Sequence, residues 1–586
     1  MKHGTRRAIA ALAATAAIVS VTSGTAQAFD PVVEAQNFGK GNERSSIYNT
    51  PEYRQLLVQV STQNEQAAAA IQAADPERSF QDHLCSRGDD GCAGDARLYD
   101  WRAKGYGIVQ PVVYTARDGA TISGRVWATR SGPAKRPGIV ITNGSVQADE
   151  QLYWFAAQVL AKAGYVVMTW DPQGQGQSDT MGESPDQNEG VPAQTDGRPF
   201  YDGTTDALDF FLSTPDKPFS PRKSCTSGTS HAPKQDRRVR AGLNTAFNPF
   251  HALIDTSRIG IAGHSFGAAG VSYIGQKDPR VKAIVAWDNL GATVANDGGR
   301  TGAQPCPADP SERTPTTITK PALGMSADYF IPPTPNTNDP DPLGKSTQSL
   351  KYSDAKVDTG ELVIRGGTHF DFDWIPNDGF PATLRGADMI TWYTTAWFDK
   401  YVKGDATADQ RLLTDRWRRD TDEGAIDPKG DANMFSFYYR SRLDIGLANG
   451  TRFKCEDLRP GCAGLSAADG QPVKYDYVSI DTAKETGDGA SGNVPSGSGI
   501  RGCPTPGRTV RLRFGKKARI VRALVYINGK RVATYKGKSL KQVVIPPAGG
   551  GRQSVKIVLR TSKGKRFTSL RAYDGCKKTK ARRVKR

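Results

Sequence analysis

Residues 258–270 read Arg-Ile-Gly-Ile-Ala-Gly-His-Ser-Phe-Gly-Ala-Ala-Gly, a short apolar run that crosses a glycine-flanked turn straight into a helix-forming stretch. An apolar strand handed over to a helix within a few residues belongs to a parallel sheet covered on both faces. The same rhythm recurs on either side. Gly138–Thr142, Tyr165–Trp170, Val281–Trp287, Ala322–Met325 and Glu361–Arg365 read as strands, while Glu150–Ala163, Asp206–Leu212, Ala268–Ile274 and Ala387–Val402 read as helices. A hairpin of Val112–Ala116 with Thr121–Thr129 across Asp118-Gly119 precedes them. The pattern predicts an α/β domain over 107–484 with a mostly parallel sheet. Long Pro-, Gly- and Ser-rich insertions at 213–255 and 291–319 interrupt it, in positions where lids or substrate-site walls often lie.

The flanks differ in character. Lys2, Arg6 and Arg7, an apolar run from Ala8 to Val21, and Ala26-Gln27-Ala28 read as a signal peptide over 1–28, so export is expected. Residues 29–106 read as a helical extension, with one helix over Pro51–Asp75 and a Cys85–Cys92 loop. A Gly/Ser stretch at 485–502 reads as a linker. Beyond it, short β-like runs predict a small all-β sandwich, immunoglobulin-like, over 503–586. Eight cysteines in an exported chain predict disulfides, and the spacing suggests Cys85–Cys92, Cys225–Cys306, Cys455–Cys462 and Cys503–Cys576. Neither Cys-x-x-Cys nor a pair of closely spaced histidines is present, so no metal is expected.

The net charge of +18 is localised. From Arg501 to Arg586 there are 27 Lys and Arg against the single acid Asp574, leaving the rest of the chain at −8. Such a segment seeks polyanions: an envelope polymer, an anionic surface or nucleic acid. No nucleic-acid-binding signature accompanies it, so the envelope is the expected partner and no specific nucleic acid is. After the first thirty residues no apolar run is long enough to span a membrane.

Gly263-His264-Ser265-Phe266-Gly267 fits a serine nucleophile on a sharp strand-to-helix turn. Serine needs a general base, and only six histidines exist. His3 lies in the leader, His83 precedes the sheet, His231 sits in the polar insertion and His251 lies at the wrong end of the nucleophile strand. His264 adjoins the serine and points elsewhere. His369, just past the last predicted strand, is the expected base. Asp328, after the next-to-last strand, is the expected acid partner, with Asp288 as the alternative. The backbone N–H groups of Phe266 and Ser145, or Val146 in place of Ser145, are the expected oxyanion donors.

Residues 110–403 resemble the α/β-hydrolase superfamily, nearest to secreted bacterial cutinase-like and dienelactone-hydrolase-like esterases. The resemblance is carried by Ile141-Thr-Asn-Gly-Ser, Trp170-Asp-Pro-Gln-Gly-Gln-Gly-Gln-Ser-Asp, the Ser265 turn, Ala327-Asp328 and Gly366-Gly-Thr-His369-Phe. Asn143 stands where many relatives have His, and Gln173 where Arg is common. The resemblance implies ester hydrolysis through an acyl-enzyme on Ser265, without metal or organic cofactor. Two other readings remain open: a peptidase or amidase of the Xaa-Pro dipeptidyl peptidase-like kind, and a catalytically silent envelope-binding protein on the same scaffold.

Overall fold

The expected alternation is realised as a ten-stranded sheet. Its strands are β1 (Gly107–Thr115), β2 (Thr121–Thr129), β3 (Arg136–Thr142), β4 (Val166–Trp170), β5 (Ile254–His264), β6 (Val281–Trp287), β7 (Ala322–Ala327), β8 (Thr359–Ile364), β9 (Arg442–Gly446) and β10 (Arg452–Cys455). The structure, a computed structural model, describes residues 29–45, 51–79, 94–102, 105–145, 149–190, 198–291, 316–330, 334–373, 376–377, 380–381, 383–418, 433–468, 508–512, 519–527, 530–545, 552–574 and 582–583. The expected leader, the Cys85–Cys92 loop, the 485–502 linker, Val146 and most of the 291–319 insertion lie outside these residues.

Strand order is β1-β2-β4-β3-β5-β6-β7-β8-β9-β10. Strands β4, β3, β5, β6, β7 and β8 are mutually parallel, whereas β1, β2, β9 and β10 pair antiparallel at the two sides. The sheet is therefore mixed with a parallel centre. Strands β9 and β10 were not anticipated, because Leu443, Ile445 and Phe453 are too few to stand out as a periodic run.

Among the described residues the longer helices are α1 (Pro31–Ser45), α2 (Pro51–Ala74), α3 (Trp154–Lys162), α4 (Arg198–Phe211), α5 (Ala232–Arg240), α6 (Phe266–Lys277), α7 (Thr347–Asp354) and α8 (Leu384–Phe398). Strand residues alternate between two cores, as the two-residue period requires. Ile139, Ile141, Val167, Val285 and Trp287 pack with α3 and α8 on one face. Val140, Met168, Ile261 and Ile284 pack with α4 and α6 on the other. Close approach of the α8 end depends on Gly260 in β5, where a Cβ would lie 2.7 Å from the Phe398 ring and 2.8 Å from Ile139 Cδ1.

Part of the 213–255 insertion packs along the side of the sheet before the chain enters β5 at Ile254. Its α5 residue Gln235 accepts from Thr115 N–H at 2.9 Å, and Thr245 N–H donates to the Val113 carbonyl at 2.7 Å. Both partners lie on β1, so this part of the insertion covers an edge strand. At the opposite side Cys455 of β10 is bridged to Cys462. Cys225 is also disulfide-bonded, to a partner outside the described residues; the expected pairings Cys225–Cys306, Cys85–Cys92 and Cys503–Cys576 fall there as well.

A separate antiparallel region comprises β11 (Arg508–Arg511), β12 (Ile520–Ile527), β13 (Lys530–Lys536), β14 (Gln542–Ile545), β15 (Arg552–Thr561), β16 (Arg566–Asp574) and β17 (Arg582–Arg583). Strand β11 pairs with β14, and the others form a five-stranded sheet in the order β13-β12-β15-β16-β17. Val510 and Val543 from the first pair share one core with Ile520, Val525, Ile557 and Leu559 from the second sheet. Among the described residues no helix is long and apolar enough to cross a membrane.

Gly260→Ala should overpack the interface between β5 and the end of α8. An added methyl group in a filled core costs about 1–3 kcal/mol, to be read as a lower denaturant midpoint with an unchanged m-value.

Candidate active site

At the carboxyl end of β5 the chain turns so sharply that Ser265 is held at φ 56°, ψ −119°, and α6 begins with Phe266. Two glycines permit this. A Cβ on Gly263 would sit 2.3 Å from the Gly267 carbonyl oxygen, and one on Gly267 would sit 2.3 Å from the Asn143 oxygen and 2.4 Å from that of Thr142. The first turn of α6 thus lies directly on the end of β3. Ser265 N–H donates to the Trp287 carbonyl at 2.9 Å, tying the turn to the neighbouring β6.

Asp288 ends β6 and is itself at φ 44°. Among the described residues only Ser265, Asp288 and Lys356 are non-glycines with positive φ. Two of the three are therefore at the ends of adjacent strands, where such strain persists only if the surroundings impose it. The Asp288 carboxylate is hydrogen-bonded to His369 Nδ1, and both side chains are buried. Burial acts to raise the Asp288 pKa, but Lys345 and the His369 ring prevail and hold it below the usual carboxylate range.

This pairing replaces the expected one. Asp328 is buried after β7, but its Oδ2 accepts from Gly366 N–H at 2.7 Å and from Asn37 Nδ2 at 2.8 Å. Its carboxyl instead anchors the His369 loop and α1, and burial raises its pKa. The physical reason is strand order. Asp288 ends the strand immediately beside β5, whereas Asp328 ends the next one out. Ser265, His369 and Asp288 are brought to one sheet edge; Asp328 is not the imidazole's partner.

The other expected residues gather at the same edge. A Cβ on Gly144 would meet Ser265 Cβ at 3.1 Å, so the turn after β3 lies against the serine. The Gly144 N–H is occupied, donating to Tyr153 Oη at 2.8 Å. The Tyr153 hydroxyl also shares a hydrogen bond with His264 Nδ1, 2.8 Å away. With the Gly144 amide engaged, Ser145 supplies the next N–H along this turn. Phe266, the first residue of α6, has an N–H that no helical carbonyl can accept. Its ring stacks on Phe200 at 5.5 Å.

The Asp171-Pro-Gln-Gly-Gln-Gly-Gln-Ser-Asp segment supports this turn through contacts that the residue order does not reveal. Gln175 Nε2 donates to the Gly144 carbonyl at 2.7 Å. Asp171 accepts from the N–H groups of Glu150, at 2.7 Å, and Gln177, at 3.0 Å. The segment clamps both ends of the Ser145 turn, a long-range contact that no local pattern encodes.

Two aromatic rings flank the imidazole. His264 lies 4.4 Å from His369 between ring centroids and packs on Phe372. Phe330, 60% exposed, lies 4.8 Å from His369 and gives the site an apolar outer wall. Among the described residues no group of three or more His, Cys, Asp or Glu is placed to hold a metal ion. No protein-family model matches the chain, and no curated protein matches its sequence.

Burial, then the neighbouring His369 charge, push the His264 pKa well below 6.5. The unfolded chain therefore binds a proton below about pH 6.5 that the folded chain refuses. Stability is full above that pH and should fall below it by up to about 1.4 kcal/mol per pH unit from this group. Urea titrations at several pH values should show that slope, and His264→Gln should remove it.

Proposed function

We propose that the chain is an exported serine hydrolase of the α/β-hydrolase fold, cleaving carboxylic esters through an acyl-enzyme on Ser265. The observation that carries the reading is the Ser265 turn set beside the hydrogen-bonded His369–Asp288 pair at the ends of adjacent parallel strands. The chain order Ser, Asp, His is also that of α/β-hydrolases.

Ser265 Oγ attacks the ester carbonyl while His369 Nε2 accepts its proton. Asp288, ionised, stabilises the resulting imidazolium through Nδ1. The oxyanion is held by the N–H groups of Phe266 and Ser145. His369 passes its proton to the departing alcohol, then takes one from water as that water attacks the acyl-enzyme. Carboxylic acid leaves and Ser265 regains its proton. Phe330 provides apolar contact for the acyl or alcohol group.

The Cys455–Cys462 bridge supports an oxidising destination. The basic 503–586 unit, read as an immunoglobulin-like sandwich, would retain the enzyme on an anionic polymer or surface of the envelope.

A fluorophosphonate probe should label the wild type and not Ser265→Ala; labelling of both would overturn the nucleophile. Asp288→Asn should lower kcat by about 10⁴, while Asp328→Asn, which keeps an acceptor for Gly366 and Asn37, should stay far nearer wild type. The reverse ranking would return the acid role to Asp328. p-Nitrophenyl esters of rising chain length should be turned over and peptide anilides should not; preference for the anilides would favour the peptidase reading. Phe330→Ala should raise KM for the apolar esters by about tenfold.

A further inference from the structure

The five-stranded sheet of the C-terminal region has a core face and an outer face. Ala523, Val525, Ile557 and Leu559 occupy the core face, so the residues between them point outward. On that outer face the register sets Arg522 opposite both Lys536 and Arg560, and sets Arg560 opposite Arg566. Four cations on four adjacent strands thus form one straight row, about 14 Å long at the usual strand spacing. All four side chains are exposed.

Nothing within this region neutralises the row. Its single carboxylate, Asp574, pairs in register with Arg552 at the far end of β15 and β16. Like charges directly opposite across strands repel and destabilise a sheet. Three such contacts in succession favour an anion bound along the row. The hairpin beyond Arg560 adds Lys563 and Lys565, both exposed.

The next row inward is Thr534, Leu524, Val558 and Thr568, with Leu524 half-buried and Val558 buried. Neither row offers an exposed apolar side chain for a bilayer to take up. Neither has an aromatic ring on which a base could stack. Three of the four cations are arginines, whose planar forks match phosphate oxygens two at a time.

We propose that this row binds a linear polymer of repeating phosphate groups laid across the strands. The proposal deepens the retention reading above and is independent of the chemistry at Ser265.

The test uses the full chain and inorganic polyphosphate, with affinity followed by fluorescence anisotropy across a salt series. A fourfold variant, Arg522→Gln, Lys536→Gln, Arg560→Gln and Arg566→Gln, is set against a charge-matched one, Lys577→Gln, Lys578→Gln, Lys580→Gln and Lys585→Gln. Circular dichroism and fluorophosphonate labelling check that both remain folded. The row variant should lose at least about thirtyfold at low salt, and its log–log salt slope should shrink by about 3. The tail variant should lose only a few-fold. Equal losses, or a row variant that binds like wild type, would overturn the row while leaving retention standing. A wild type that ignores polyphosphate at low salt would overturn both. Tighter row-dependent binding of single-stranded DNA or of phosphatidylglycerol vesicles than of polyphosphate would overturn the choice of partner.

Discussion

The close approach of α6 to the end of β3 is the constraint on which the site depends. Gly267 lies so near the carbonyls of Thr142 and Asn143 that no side chain fits between them. That contact locks the turn bearing Ser265 to the turn bearing Ser145. Ser265 and Ser145, from segments more than a hundred residues apart, therefore share one rigid seat. Since strain at Ser265 must be imposed by its surroundings, the two buried cores gripping β5 from opposite faces serve this end.

The polar arrangement behind the seat follows the same logic. A buried N–H or carbonyl without a partner costs more than a hydrogen bond returns, and Gly144 has both groups satisfied, by Tyr153 and by Gln175. Tyr153 in turn hydrogen-bonds His264 Nδ1, and burial favours the neutral form of that ring. A neutral ring at 4.4 Å imposes no second positive charge on His369.

Much of this was legible from residue order. The strands from Gly138 to Arg365 announced themselves as apolar runs between helices, and Ser265 and His369 stood out through glycines and scarcity. The acid did not. Asp288 and Asp328 both end parallel strands, and choosing between them needs the lateral order of β5, β6 and β7. Local periodicity carries no information about that order. Helix α1 escaped notice because Glu34 and Asn37 are polar yet buried, held by Asn336 and Asp328 far along the chain. The clamp by Asp171 and Gln175 was visible only as a string of glycines and glutamines.

The coverage of β1 by the 213–255 insertion has a consequence for the molecule among its copies. A ten-stranded sheet with open sides would present unpaired amides to any passing strand, its own copies included. Here one side is occupied by Gln235 and Thr245. The other ends in a four-residue strand with Arg452 and Lys454 outward and the Cys455–Cys462 clasp at its tip. Both margins of this sheet are thereby guarded against addition of a strand from another copy.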